Sequence, residues 1–156
     1  NAAFNPLEKK YPIKWERIID SRAAGNIIRD AEGDFRLKIN ERQLAGLSYD
    51  FVIECKVFVV ENSFNCCFRS LIGSNQLALM RKEARAGAVC IYLFHSVNNR
   101  EIEVWSMKQL RDSYYEKRTE FTGEPVYIVE ESNFKKFAER WVVNPQQFIS
   151  ILGDYV

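Results

Sequence analysis

The sequence predicts an α/β fold in which a mixed β-sheet is flanked by helices. Several runs rich in Phe, Val, Ile and Leu are bounded by polar or glycine-containing stretches, as β-strands are. One of these runs, residues 88–95, is apolar throughout, which is typical of the centre of a buried sheet. Two other segments repeat apolar residues at the spacing of an amphipathic helix.

Five strands are expected in the first two thirds of the chain. The last of them has a half-exposed pattern, because Glu101 and Glu103 alternate with Ile102 and Val104. The others are predicted from their apolar composition and their polar boundaries. In chain order, the expected strands are residues 15–20, 34–39, 49–60, 88–95 and 101–105.

A helix is expected between the third and fourth strands. Ser74 is a suitable N-cap, and Gly87 is a suitable residue to end the helix. The apolar positions at helical spacing between them are Leu77, Met80 and Ala84.

The last third of the chain predicts a short strand at residues 125–129 and further helices. Residues 107–117 are expected to be helical. An apolar stripe indicates an amphipathic helix, and we interpret this stripe as core packing. Asn144 and Pro145 then suit the start of a final helix that runs to Leu152. The residues of the stripe are Phe134, Phe137, Ala138 and Trp141.

Length and composition indicate one soluble globular domain of 156 residues, with 47% hydrophobic and 28% charged residues. No apolar run approaches the ~20 residues of a membrane span, so no membrane partner is expected. The start of the chain has no signal-peptide pattern. The four cysteines suggest neither a disulfide framework nor a zinc site, and a cytoplasmic location is expected. The net charge of +1 is low for a nucleic-acid binder.

Two acidic residues and a lysine are the candidate functional residues. Asp34 opens the second expected strand, and the triplet Glu54-Cys55-Lys56 lies in the third. Side chains alternate along a strand, so Glu54 and Lys56 share one face and Cys55 points away. If the two strands pair, Asp34 meets the same face. Two carboxylates suit Mg²⁺, and an ammonium can orient water or stabilise charge on a phosphate. The alternative is an edge strand with solvent-facing charges.

The neighbouring segments extend this pattern in order: WERIIDSRAAGN, GDFRL, FVIECK, SFNCCF, SNQLALM, AGAVCIYLFH and REIEVWSMKQL. Residues 15–111, which contain them, resemble the PD-(D/E)xK nuclease superfamily, in particular Holliday-junction resolvases of the RecU type and their phage relatives. Gly33 stands where the family usually has proline before the first acid. Many relatives also carry a glutamate on an N-terminal helix, and either Glu8 or Glu16 is a candidate for that role.

The resemblance implies a restriction-endonuclease-like fold and a magnesium-dependent endodeoxyribonuclease that resolves Holliday junctions or other branched DNA. The expected metal ligands are Asp34, Glu54 and the main-chain carbonyl of Cys55, with Mn²⁺ able to replace Mg²⁺. Lys56 is expected beside the attacking water, either as a general base or as an electrostatic stabiliser. The resemblance further implies a homodimer. The whole chain, residues 1–156, is expected to form one domain, with residues 112–156 as a C-terminal extension.

Three further residues carry weaker expectations. In similar nucleases a glutamine at the position of Gln76 orders the attacking water or contacts the DNA backbone, and the alternative is an exposed residue at a helix start. Ser63 and Arg69 are candidate phosphate contacts.

A second function also stays open for the chain as a whole, namely a catalytically inactive nuclease-fold module that binds DNA or protein.

Several other charged residues are interpreted as not belonging to the site. Asp50 shares the strand face of Glu54, but it is too close in sequence to be the acid of the partner strand. Asp30 and Glu32 are weaker rivals of Asp34. Basic residues concentrate in two groups, of which the helical one is interpreted as a solvated face. The two groups are Lys9, Lys10, Lys14 and Arg17, and Arg81, Lys82 and Arg85.

Overall fold

The computed structural model describes residues 2–18, 35–40, 48–58, 74–109 and 124–153. Within them, six strands form one mixed sheet in the order β1-β2-β3-β4-β5-β6. The strands are β1 (Ile13–Arg17), β2 (Phe35–Asn40), β3 (Ser48–Phe58), β4 (Val89–Ser96), β5 (Glu101–Ser106) and β6 (Tyr127–Glu130). The α-helices are α1 (Ser74–Arg85), α2 (Phe134–Val143) and α3 (Pro145–Leu152), and 3-10 helices occupy Asn5–Lys9 and Glu131–Asn133. The predicted α/β class is confirmed.

One pair of strands is parallel and the other four pairs are antiparallel. β3 and β4 run in the same direction, with Glu54 opposite Tyr92 and Lys56 opposite Phe94. Parallel strands need a crossover connection, and α1 is the described part of that connection. The five predicted strands and this helix are confirmed to within a few residues, although β1 begins at Ile13, earlier than expected. β6 and the two C-terminal helices also lie where they were predicted.

One element was not predicted, and one prediction lies mostly outside the described residues. Asn5–Lys9, before β1, forms a 3-10 helix with a proline in its first turn. Proline suits that position because its missing N–H would have no partner there. The helix expected at residues 107–117 is described only at residues 107–109, and the remainder lies outside the described residues.

The end of α1 is closed by a glycine in the left-handed region. Gly87 has φ +105°, a conformation that an L side chain rarely adopts. Its N–H donates to the Ala84 carbonyl, and the Ala88 N–H donates to the Glu83 carbonyl, both at 3.1 Å. This pair of bonds is a Schellman motif, which satisfies the last carbonyls of the helix and turns the chain into β4. The predicted end at Gly87 is confirmed.

The sheet separates two apolar layers. Phe51 and Ile53 of β3 pack on the side covered by α2 and α3, which we call the C-terminal face. Val52 packs on the other side with Leu77 and Met80 of α1, which we call the α1 face. Alternate residues of each strand therefore belong to different faces, and the site residues of β3 can be assigned from their position alone.

Aromatic rings dominate the C-terminal face. The Trp141 ring lies 4.1 Å from the Phe148 ring and 5.2 Å from those of Phe51 and Phe4, measured between centroids. The C-terminal helices are therefore part of the core, as the apolar stripe predicted. At one edge of this face, the Trp15 ring stacks between Phe4 at 4.4 Å and Phe35 at 4.6 Å.

Substituting Trp141 tests this packing. We expect Trp141→Ala to lower the free energy of unfolding by about 3–5 kcal/mol, because a large buried ring is replaced by a cavity. Urea denaturation followed by circular dichroism measures the loss. Val143→Ala is the control, since Val143 lies on the same helix and is 56% exposed. It should change stability by less than about 0.5 kcal/mol. Equal effects of the two substitutions would contradict the packing.

Candidate functional site

Glu54 and Lys56 form a partly buried ion pair on the α1 face. Lys56 Nζ lies 3.1 Å from Glu54 Oε1. Glu54 is only 2% exposed, whereas Cys55 between them packs against the opposite core. The prediction that the acid and the lysine share a face, with Cys55 directed away, is confirmed.

The burial of Glu54 makes its partner important. Moving a carboxylate out of water costs several kcal/mol unless a counter-charge and hydrogen bonds compensate for it. Lys56 supplies the counter-charge, and its side chain keeps 29% exposure. Tyr92 and Phe94 flank the pair on β4 and present aromatic surface, which strengthens electrostatic interactions by excluding water. The pair is thus a charged site at the boundary between core and solvent.

The first predicted acid, Asp34, lies outside the described residues, so its meeting with Glu54 stays a prediction. Its neighbour in sequence is Phe35, the first residue of β2. Phe35 lies opposite Ile53, which is the neighbour of Glu54. The first residue of β2 therefore lies directly beside the site.

The hydrogen-bond pattern of the sheet shows where the Cys55 carbonyl points. The Asn40 N–H donates to the Pro12 carbonyl at 3.0 Å, so even-numbered residues of β2 direct their main-chain groups towards β1. Odd-numbered residues of β2 consequently face β3, and Phe35 and Ile53 form a hydrogen-bonded pair. Cys55 lies two residues beyond Ile53, so its carbonyl points towards the same side. The Cys55 carbonyl therefore points towards the side of β3 on which β2 lies.

Gln76 lies level with Glu54. The Cys90 thiol donates to the Met80 carbonyl at 3.3 Å, and Cys90 is opposite Val52, so Met80 lies near the level of Val52. Gln76 is four residues earlier in α1, about 6 Å along its axis. Glu54 is two residues later in β3, about 6.6 Å along the strand. α1 runs antiparallel to β3, so a step back along the helix and a step forward along the strand point in the same direction. Gln76 therefore comes to the level of Glu54. Gln76 is half-buried, which disagrees with a fully exposed helix start.

Arg36 fixes the other end of α1 to the sheet. Its Nη2 lies 2.7 Å from Glu83 Oε2 on α1, and its Nε lies 3.7 Å from Asp50 Oδ1 on β3. Asp50 therefore belongs to a structural ion-pair network. It lies four residues from Glu54 along β3, about 13 Å at the rise of a strand. The interpretation of Asp50 as outside the site agrees with this position.

The two candidate N-terminal glutamates have different local roles. Glu8 Oε1 accepts the main-chain N–H of Trp15 at 2.6 Å and so satisfies the outer edge of β1. Glu16 Oε1 lies 2.6 Å from Lys14 Nζ, and this contact lowers the pKa of Glu16. Glu16 is opposite Arg36, which is opposite Val52, so Glu16 shares the α1 face with Glu54. Two strand spacings across the sheet and two residues along β3 separate them by about 12 Å. Of the two, Glu16 is on the side of the sheet that carries the site.

Several other expected residues lie outside the described residues: Ser63, Arg69, Asp30, Glu32 and Gly33. Within the described ranges, no three His, Cys, Asp or Glu side chains lie close enough to hold a metal ion. Asp34, one of the predicted ligands, lies outside these ranges. No helix in the described part of the chain is long and apolar enough to span a membrane.

Sequence reasoning missed two side chains on the site face. Tyr92 is fully buried beside Glu54. Glu103 lies in the same row as Lys56, with Phe94 between them. Burial raises the pKa of the Glu103 carboxyl; a hydrogen bond from Trp105 opposes this shift, and the charge of Glu101 adds to it. Only the pairing of β3, β4 and β5 brings these residues near the triplet, and a strand pattern does not reveal its partners.

Comparisons with models of known protein families and with curated proteins find no match for this chain. The geometry of the described residues, together with the sequence pattern, is therefore the basis of the functional proposal.

The raised pKa of Glu103 predicts that replacing this carboxyl group with an amide increases stability, by an amount that depends on pH. A raised pKa in the folded state means that ionisation costs stability, so stability is lost as the pH rises through the folded value. We expect Glu103→Gln to unfold at a higher temperature than the parent at pH 7. The difference should shrink as the pH falls from the raised folded value towards about 4.3, the ordinary glutamate value, and should be absent below it. Calorimetry across this range measures it, and a constant difference at all pH values would contradict the assignment.

Proposed function

We propose that the protein is a metal-dependent endodeoxyribonuclease that hydrolyses phosphodiester bonds in Holliday junctions or other branched DNA. The observation that carries the proposal is the buried Glu54 carboxylate paired with Lys56 beside the end of β2, where Asp34 precedes Phe35 in the chain. A carboxylate and an ammonium at this depth are costly for stability and useful for chemistry on a charged substrate.

The donor set fits a hard divalent cation. Asp34, Glu54 and the Cys55 carbonyl would hold the ion, since Mg²⁺ needs only one or two protein carboxylates besides water and substrate oxygens. A bound Mg²⁺ would neutralise charge on the phosphate and lower the pKa of water. Mn²⁺ has similar ligand preferences and is expected to replace it. The carbonyl direction and the burial of Glu54 support this assignment.

The remaining residues would act on the substrate and on water. The ammonium of Lys56 would lie beside the phosphate and stabilise the negative charge that develops on its oxygens. Gln76, level with Glu54 on the facing helix, would accept a hydrogen bond from the attacking water and orient it towards phosphorus. Tyr92 and Phe94 would exclude bulk water from one side of the site and so strengthen both interactions.

The acidic and lysine residues are tested by substitution. We expect Asp34→Asn, Glu54→Gln and Lys56→Ala each to reduce Mg²⁺-dependent nicking of a four-way junction by about 100-fold or more, because each removes a group acting on the transition state. Junction binding should survive, since the first two changes remove negative charge and the third removes at most one phosphate contact. Gel assays of cleavage and gel-shift assays of binding measure the two effects.

Asp50→Asn is the matched control for Glu54→Gln, because it makes the same charge change on the same strand and face. It should keep most of the activity, with a small loss of stability through Arg36. Glu16→Gln tests whether that residue completes the site. Loss of activity in Asp50→Asn while Asp34→Asn stays active would show that the first acid is wrongly assigned. If the parent protein binds branched DNA but never cleaves it with Mg²⁺ or Mn²⁺, the chain is instead the inactive binding module.

We also propose that the protein acts as a symmetric homodimer. A four-way junction has approximate two-fold symmetry, and paired incisions need two equivalent sites, which a two-fold dimer supplies. Light scattering of the protein alone and with junction DNA should give the mass of two chains per junction. A single chain under both conditions would contradict the proposal.

A further inference from the structure

A groove at the β6 edge combines an exposed aromatic ring with two exposed cations. β6 is the terminal strand of the described sheet, and α2 lies beside it. The groove between them has a volume of about 370 Å³. The residues that line it include Tyr127, Glu130, Asn133, Lys136, Phe137 and Arg140.

Tyr127 forms an aromatic platform. Its ring stacks on Phe137 with centroids 5.6 Å apart and planes 12° from parallel, and the residue is 45% exposed. Phe137 is in turn packed against the core through Trp141 and Phe148. The platform is thus held from below and open to solvent, which is the arrangement on which an unpaired base can stack.

Lys136 and Arg140 place two positive charges beside this platform. They are one helical turn apart and about 6 Å from each other on the same side of α2. Neither forms an ion pair with any residue in the described part of the chain. Glu130 also lines the groove and opposes an anion, so the groove carries two cations against one carboxylate.

Glu139, the acidic residue of α2, already contacts the N-terminal segment. Glu139 accepts a hydrogen bond from the Tyr11 hydroxyl at 2.6 Å and lies 3.6 Å from Lys10 Nζ. These contacts lower the pKa of Glu139. Its charge is therefore partly neutralised by the N-terminal segment.

The groove continues along α2. A second groove of about 470 Å³ is lined by the same Lys136 and Arg140, by Glu139, and by Asn144 and Gln147 at the start of α3. The two cations therefore line both grooves, which we together call the track. An isolated small anion does not need a track of this length, whereas a polyanionic strand does.

We propose that this track binds a single-stranded segment of nucleic acid, with one base stacked on Tyr127 and the neighbouring phosphates beside Lys136 and Arg140. The inference rests on the proposed function in taking DNA as the ligand. Tyr127 is on the C-terminal face, whereas Glu54 is on the α1 face, three strand spacings or about 14 Å away across the sheet. A rigid duplex over Glu54 does not follow the sheet around its edge, but an unpaired strand can. The track would therefore favour branched or tailed DNA over linear duplex.

Binding of a fluorescent thymidine oligonucleotide in the absence of divalent metal tests the track by anisotropy. We expect Tyr127→Ala to weaken binding about 5- to 100-fold, and Tyr127→Phe to restore it because stacking is kept. The double variant Lys136→Gln, Arg140→Gln should bind more weakly and lower the slope of log K against log salt by about 1.4, since each single-strand phosphate contact contributes about 0.7. Lys135→Gln is the control for loss of a positive charge, because it removes one charge from the same helix outside the groove lining.

Three outcomes overturn the inference: no binding by the parent, an unchanged affinity and salt slope in the double variant, or a double variant that dissociates a dimer while oligonucleotide binding is unchanged. The last outcome would identify the groove as a subunit interface. Thermal unfolding confirms that each variant is folded. Glu54→Gln should bind the oligonucleotide like the parent. If the parent binds the oligonucleotide but never cleaves DNA, only the nuclease proposal is refuted. If the double variant cleaves DNA and binds the oligonucleotide normally, only the track is refuted.

Discussion

The parallel pairing of β3 with β4 is the constraint on which the site depends. Parallel strands cannot be joined by a tight turn, so the chain must cross one face of the sheet before β4 begins. α1 belongs to that crossing and returns antiparallel to β3. Its first turn therefore comes to the same level as Glu54, and the β3 triplet lies at the margin of a helix-covered layer. Without this connection, Glu54 and Lys56 would be two exposed charges on a strand.

Charged residues on this face form two groups, a supporting ion-pair network and the pair at the candidate site. At the start of β3, Arg36 joins the last turn of α1 to the sheet through Glu83 and Asp50. Partly buried networks of this kind are sensitive to the loss of any member, because a remaining charge is left without compensation. At the other end of the same helix, Glu54 and Lys56 have each other as neighbours and an opening towards solvent. The supporting network holds the helix in the position that this second pair requires.

The sequence predicts most of the strands and helices because their signals are local. The alternation of Glu54, Cys55 and Lys56 was sufficient to assign their faces, and Gly87 was sufficient to end α1. The 3-10 helix at Asn5–Lys9 was missed because so short an element has no periodicity. The neighbours of the triplet, Tyr92 and Glu103, could not be predicted, since strand pairing is a long-range property. The depth of Glu54 was likewise hidden, because charged residues are usually exposed and only the tertiary cover shows otherwise.

The stack of Phe4, Trp15 and Phe35 has a consequence for where this domain begins. The nuclease resemblance starts at Trp15, but the ring of Trp15 is held between Phe4 and Phe35, and its main-chain N–H is held by Glu8. Phe35 is the residue that follows the first predicted acid. A domain boundary drawn at the start of the resemblance would therefore remove the outer half of a three-ring support whose inner half borders the site. The opening segment of the chain therefore packs into the same core as β1 and β2 and supports the strand that carries Phe35.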